Sequence, residues 1–136
     1  MPRLTRWLIR AAMFYLMGSL ALGIAIQPPI AARFPLLSAL WPTYLHLLVL
    51  GWLTQLIFGV AFWMFPRYSA ERPRGSDGLG WAAFWLLNAG LLVRAVAEPW
   101  HAVSGHGGSL LVIAAAFQLG GGLAFAANTW PRVRER

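Results

Sequence analysis

The stretch TYLHLLVLGWLTQLIFGVAFWMFP, residues 43–66, decides the fold that this chain can adopt. It contains no Asp, Glu, Lys or Arg, and its one histidine is His46. About 20 consecutive apolar residues are enough for a helix to cross the hydrocarbon core of a bilayer. Residues 43–65 therefore predict a membrane-spanning helix, which Pro66 ends because proline cannot continue the helical hydrogen-bond ladder.

Composition extends this interpretation to the whole chain. Of the 136 residues, 59% are hydrophobic and 11% are charged, whereas soluble domains carry about 25% charged residues. A core of this size cannot bury so much apolar surface, so the bilayer has to act as solvent. The four predicted spans cover residues 8–26, 43–65, 79–97 and 109–127. The sequence thus predicts an all-α, integral membrane four-helix bundle, with residues 1–136 as a single domain.

Prolines mark the predicted ends of the other spans, at Pro28, Pro99 and Pro131. The first loop, residues 28–42, is apolar for an exposed connection. Either its residues 36–41 form a short helix on the outer membrane interface, or the loop is a connector that caps the bundle.

The basic residues indicate how the bundle is oriented. All 11 are arginines, and nine of them fall on one side of the membrane if the four spans alternate. These nine are Arg3, Arg6, Arg10, Arg67, Arg72, Arg74, Arg132, Arg134 and Arg136. The loops on the other side contain only Arg33, so the positive-inside rule predicts cytoplasmic termini in a bacterial or archaeal inner membrane. The net charge of +7 is then a topology signal and predicts no nucleic-acid partner.

Two further sequence features limit the possible functions. Cysteine is absent, which excludes disulfides, iron–sulfur clusters and covalently attached heme. Interpreting the first span as a cleaved secretory signal would leave an odd number of spans, so we expect it to remain.

His46 and Arg94 form the main candidate site. His46 lies near the outer end of the second span, and Arg94 lies about one turn before the outer end of the third. An ionisable side chain within a membrane helix is costly and is a functional-site hypothesis by default. We expect His46 to bind the iron of a heme, with Arg94 pairing a propionate. At ~100° per residue, Leu50 and Leu53 follow His46 on one helical face and would contact the macrocycle.

The other two histidines, His101 and His106, lie in the predicted outer connection between the third and fourth spans, together with Glu98. Either histidine, or a residue of another subunit, could be the second axial ligand, so we expect a homo-oligomer or a subunit of a larger membrane complex. Copper or zinc bound by His46, His101 and His106 is an alternative, although no HExxH-like motif is present. No catalytic residue is predicted.

Purely structural roles are also consistent with these residues. His46 could hydrogen-bond a neighbouring helix, Arg94 could extend to the lipid headgroups, and Glu98 could pair with Arg94 or water. Four side-chain amides are expected to bridge helices, namely Gln55, Asn88, Gln118 and Asn128. Small residues, including Gly51, Gly59 and Gly120-Gly121-Gly122, are expected to allow close helix approach.

The second span also resembles a known family. His46-Leu-Leu-Val-Leu-Gly-Trp52, followed by Ile57-Phe-Gly-Val-Ala-Phe-Trp-Met-Phe-Pro-Arg67, is similar to a helix of heme-copper oxidase subunit I and of NnrS-like membrane proteins. The resemblance implies that His46 corresponds to an axial ligand of the low-spin b-type heme. It also implies a setting in electron transfer or nitric oxide chemistry. Residues 88–94 of the third span are a weaker echo of the same family.

The chain departs from that family in size and in metal ligands. It has four predicted spans, many fewer than a full subunit I, and it lacks a helix with paired histidines and a recognisable copper site. Oxygen or nitric oxide reduction by this chain alone is therefore not expected. We expect a small heme-b-binding membrane protein for electron transfer or for gas or redox sensing. The alternatives are a cofactor-free structural or assembly subunit of a respiratory or nitric-oxide-related complex, and a copper- or zinc-handling protein.

Overall fold

The computed structural model describes residues 1–71 and 73–133. Three arginines that contributed to the predicted orientation, Arg72, Arg134 and Arg136, lie outside the described residues. In the described part, every regular element is helical, and four helices are long and apolar enough to cross a membrane. At most 33% of the apolar window in each of these helices is buried, so lipid or another chain has to cover the rest.

The helices follow the predicted order of spans. The first span is α1 (Arg3–Ala25), and the first loop contains two short helices, α2 (Pro28–Ala31) and α3 (Pro35–Ser38). The second span is continuous through α4 (Trp41–His46), a π-helical segment (Leu47–Thr54) and α5 (Gln55–Met64). The third span is α6 (Asp77–Ser104), and the fourth is α7 (Gly108–Thr129) followed by a 3₁₀ turn (Trp130–Arg132). The all-helical fold with four candidate spans is thus confirmed.

The third span differs from its prediction at Pro99. The expectation that this proline ends the helix is wrong, because α6 passes through Pro99 and ends at Ser104. Proline removes one backbone donor without forcing a stop, and the helix ends where Gly105 adopts a left-handed φ of 71°. Glu98 and His101 therefore lie within the helix, and of the three residues assigned to the outer connection only His106 lies outside α6.

Glycines set how the first two spans pack. A Cβ on Gly59 would lie 3.2 Å from the Leu8 side chain, and one on Gly51 would lie 2.6 Å from Tyr15. Near the other end of the pair, a Cβ on Gly23 would lie 3.0 Å from the Tyr44 ring. In these three contacts the residue number increases along one helix while it decreases along the other, so the two helices are antiparallel. The expected close approach at Gly51 and Gly59 is confirmed.

The third and fourth spans form a second antiparallel pair, and glycines again allow the two helices to approach closely. A Cβ on Gly90 of α6 would lie 2.8 Å from the Ala114 carbonyl oxygen of α7. A Cβ on Gly121 of α7 would lie 3.1 Å from the Ala83 carbonyl oxygen of α6. At both positions an added Cβ would meet the backbone of the facing helix, and of the three consecutive glycines Gly121 is the one that approaches the α6 backbone.

Side-chain amides bridge helices both between the two pairs and within the second pair, as the sequence predicted. Gln55 and Asn88 exchange two hydrogen bonds of 3.2 and 3.1 Å between the second and third spans. Asn128 of α7 accepts a 2.7 Å bond from the backbone N–H of Ser76, which caps the start of α6. An apolar cluster of Leu4, Leu8, Phe62 and Phe84 closes the bundle near the chain's N-terminus.

The π-helical segment determines which residues of the second span face α6. His46 and Gln55 are nine positions apart, so at ~100° per residue a regular α-helix would place them on opposite faces. In a π-helix the hydrogen bonds join residues five apart, and the turn falls to ~82° per residue. Eight residues of π winding bring His46 and Gln55 to within ~40° of each other. Both side chains accordingly reach partners on α6.

The π-helical winding also changes which apolar residues lie on the same helical face as His46. The assumption of regular α-helical periodicity across residues 47–54 is wrong, because this segment is π-helical. Leu50 stays near the face of His46, since four residues at ~82° make almost a full turn. Leu53 turns away and is 43% exposed on the outside of the bundle.

We predict that Gly90→Ala destabilises the bundle, because the new Cβ would lie 2.8 Å from the Ala114 carbonyl oxygen, which cannot move without displacing α7. Overpacking of this kind costs about 1–3 kcal/mol. Thermal unfolding of the purified protein in detergent measures the effect. Gly122→Ala is the matched control, since a Cβ there meets nothing within 4 Å. Equal melting temperatures for the two variants would contradict the packing described.

Candidate functional site

Glu98 is the centre of the candidate site. Its side chain is only 7% exposed, and it lies on α6 facing the second span. Oε2 accepts a 2.8 Å hydrogen bond from the Thr43 hydroxyl of α4. Oε1 lies 2.9 Å from Nδ1 of His46 and 3.2 Å from Nη1 of Arg94. The carboxylate is therefore held by groups from two spans.

Arg94 neutralises this carboxylate and connects it to the fourth span. Its side chain is 15% exposed, and Nη1 donates to Glu98 one helical turn away. Nε donates a 3.2 Å hydrogen bond to the side-chain oxygen of Gln118 on α7. A buried charge is tolerated only when it is paired and hydrogen-bonded, and here both conditions hold for Glu98. The expected pairing of Glu98 with Arg94 and the bridging role of Gln118 are confirmed.

The contacts of His46 define which ring nitrogen carries a proton. Nδ1 lies 2.8 Å from the Pro42 carbonyl oxygen and 2.9 Å from the Glu98 carboxylate, and both of these groups are acceptors. Nδ1 must therefore be the donor, so in the neutral ring Nε2 carries the lone pair. The imidazole is 33% exposed, and within residues 1–71 and 73–133 the structure gives Nε2 no hydrogen-bond partner. A ring in this state is able to bind a metal or accept a proton through Nε2.

His101 and His106 are exposed at the same end of the bundle. Nδ1 of His101 lies 3.0 Å from the His106 carbonyl oxygen, and Nδ1 of His106 lies 2.8 Å from the Ser104 carbonyl oxygen. These contacts again favour the Nδ1–H tautomer. No group of three His, Asp or Glu residues in the described part of the chain is placed to hold a metal ion. The structure therefore does not assemble His46, His101 and His106 into one metal centre.

The remaining candidates are placed unevenly around His46. Leu50 is half-buried on its face of the second span, whereas Leu53 is exposed. Arg94 points into the bundle and is engaged by Glu98 and Gln118, so its contacts in the structure differ from the predicted contact with a propionate.

Sequence reasoning did not single out Thr43 or recognise Glu98 as the centre of the site. The sequence spacing of these residues could have indicated the site. Thr43 and His46 are three residues apart, and Arg94 and Glu98 are four apart, so each pair shares one helical face. Glu98 was placed in a loop because Pro99 follows it.

The arrangement holds one imidazole in a fixed tautomer, with its free nitrogen at the edge of a charge-compensated cluster. A carboxylate behind a histidine is the usual support of a metal-ligating imidazole. No protein-family model matches the chain, and no curated protein or solved structure matches it significantly.

We predict that Glu98→Leu destabilises the protein more than the double variant Arg94→Leu with Glu98→Leu. The single change leaves the Arg94 guanidinium buried without its counter-charge, which costs about 3–5 kcal/mol. Removing both charges together avoids that cost. Chemical denaturation in detergent measures both variants, and Glu71→Leu at an exposed position is the control. If the double variant is destabilised as much as Glu98→Leu or more, the pair is not coupled as described.

Proposed function

We propose that this chain is a small integral membrane protein that binds heme b, with Nε2 of His46 as an axial ligand. The observation that supports the proposal is the pair of contacts at Nδ1, from the Pro42 carbonyl and the Glu98 carboxylate. Metal-bound histidines almost always donate their other ring N–H in this way, which fixes the ring and raises its basicity. The resemblance of residues 46–67 to a heme-binding helix agrees with this proposal.

The supporting residues have distinct roles in the proposal. Glu98 orients the imidazole, Thr43 donates to the second carboxylate oxygen, and Arg94 donates to the first. Arg94 is thus a positioning residue for Glu98, and its contact with a propionate stays a prediction. A heme held in such a site supplies one-electron redox chemistry or a position for a diatomic gas.

The proposal includes a second chain. Leu50 supplies apolar surface beside His46, whereas Leu53 is turned away from His46 and is exposed on the outside of the bundle. A flat apolar cofactor needs cover on both faces, and the described residues leave this side open. Another copy of the chain or a larger complex would complete the site, with a second axial ligand from His101, His106 or the partner.

The proposed setting is a bacterial or archaeal inner membrane with cytoplasmic termini. The support is the concentration of arginines in the terminal segments and the loop between the second and third spans. Arg3 and Arg74 line one cavity, which agrees with the chain's start and that loop lying at the same end of the bundle.

A cofactor-free structural subunit is the second candidate, and one observation favours it. Both oxygens of Glu98 already have partners within the chain, so the polar cluster can serve to lock the helices together without any ligand. This candidate predicts co-purification with larger membrane partners and no absorbance beyond the aromatic band.

We predict a Soret band in protein purified from heme-replete cells, and its loss in His46→Ala. His46→Gly should recover the band when free imidazole is added, because the small ligand can replace the missing ring. Leu45→Ala is the matched control, since Leu45 precedes His46 and is 40% exposed away from the polar cluster. Optical spectra of the oxidised and reduced protein provide the measurement.

Glu98→Gln tests the supporting role separately. Loss of an outer-shell partner weakens metal binding by roughly 10–100-fold, so we expect heme titration to give a correspondingly weaker affinity with a retained Soret band. The heme proposal is abandoned if the wild-type protein shows no Soret band, or if His46→Ala keeps the same spectrum. Metal analysis of the same samples distinguishes bound copper or zinc from iron.

A further inference from the structure

A second polar feature lies at the opposite end of the second span from His46. A cavity of about 510 Å³ lies beside the ends of α5 and the 3₁₀ turn, and small-molecule sites occupy roughly 300–1,000 Å³. Three of its lining residues are arginines, Arg67, Arg74 and Arg132. Among the described residues that line it, none is acidic.

Arg132 is the most deeply placed of the three, with only 3% of its surface exposed. Its Nε and Nη2 atoms donate to three carbonyl oxygens at the end of the second span, those of Phe62, Phe65 and Pro66, at 2.8–3.1 Å. Carbonyls at a helix C-terminus lack partners within the helix, so these bonds fix the guanidinium in place. Its remaining nitrogen, Nη1, is buried and has no hydrogen-bond partner in the described structure.

Arg74 lies in the loop between the second and third spans and resembles Arg132 in one respect. Its Nε is buried and also lacks a hydrogen-bond partner among the described residues. Arg74 and Arg132 line the same cavity, so their like charges lie near each other. Glu71 and Asp77 line an adjacent cavity that Arg74 shares. Within the described chain, the ion pairs present involve neither of these carboxylates.

Arg74 and Arg132 line one cavity, each has a buried N–H without a partner among the described residues, and none of the described lining residues carries a counter-charge. Such an arrangement is unfavourable. An oxyanion bound in the cavity would compensate the charges of the arginines that line it. Phosphate suits this role because guanidinium groups match its oxygens with two parallel hydrogen bonds.

We propose that this cavity, which we call the arginine cavity, binds a phosphate group. The lining also includes Trp63 and Met64, which are 49% and 69% exposed and belong to an apolar span. A phosphate with an apolar extension, such as the headgroup of an anionic phospholipid, matches this mixed lining. A free phosphate offers the same oxyanion, so the test includes both sources.

The test uses the full-length protein in a neutral detergent and a phosphate-free buffer. Phosphatidylglycerol, phosphatidylcholine and inorganic phosphate are added separately, and native mass spectrometry together with thermal unfolding records binding. We expect phosphatidylglycerol, inorganic phosphate or both to bind and raise the melting temperature, and phosphatidylcholine to have the smaller effect.

Variants locate the binding in the arginine cavity. Arg74→Gln removes one of the charges that line the cavity and should weaken binding roughly tenfold. Arg67→Gln, at an exposed position, provides a second variant if Arg74→Gln does not fold. Arg6→Gln is the matched control, because it makes the same charge change at an arginine that lines a different cavity.

The dependence of binding on Arg74, Arg67 and Arg6 distinguishes the possible results. Binding of phosphatidylglycerol that depends on Arg74 or Arg67 but not on Arg6 supports a lipid phosphate. The same dependence for inorganic phosphate alone supports a free phosphate. Equal binding of phosphatidylglycerol and phosphatidylcholine with no effect of inorganic phosphate overturns the proposal, and so does an equal loss in Arg6→Gln and Arg74→Gln.

Discussion

The structure depends on one buried carboxylate. Glu98 takes a hydroxyl donor from Thr43, an imidazole donor from His46 and a guanidinium donor from Arg94. A charge placed among membrane helices is stable only with such compensation, because the surrounding lipid offers none. The same contacts that stabilise Glu98 also align the second and third spans. They fix the tautomer of His46 as well, so packing and candidate chemistry arise from one set of bonds.

The π-helical segment makes this arrangement possible. Without the wider turn over Leu47–Thr54, His46 and Gln55 would face opposite sides of the second span. With it, the contact of His46 with Glu98 and the contact of Gln55 with Asn88 both form on α6. Segments of π-helix often occur at functional sites. Here the segment directly follows His46, which connects the winding of the helix to the position of the proposed ligand.

The sequence predicted the spans well because length and apolarity decide membrane insertion almost alone. It also predicted that buried amides such as Gln55 and Asn88 would bridge helices, since lipid leaves them no other partners. It did not predict that α6 continues through Pro99. A proline disfavours a helix locally, and contacts with other helices, which the sequence does not show, can outweigh that preference. The π winding was also missed, because it has no clear sequence signature. These two misses account for the misplacement of Glu98 and for the incorrect alignment of Leu53 with His46.

The central claim is that Glu98 holds Nδ1 of His46 as the donor and leaves Nε2 available. Solid-state nitrogen NMR of histidine-labelled protein in lipid bilayers observes the two ring nitrogens directly. In the neutral ring, we expect a protonated Nδ1 and an Nε2 that is either bare or metal-bound, with Glu98→Gln shifting the Nδ1 signal. A neutral His46 protonated at Nε2, or an Nδ1 signal unaffected by Glu98→Gln, would contradict the account.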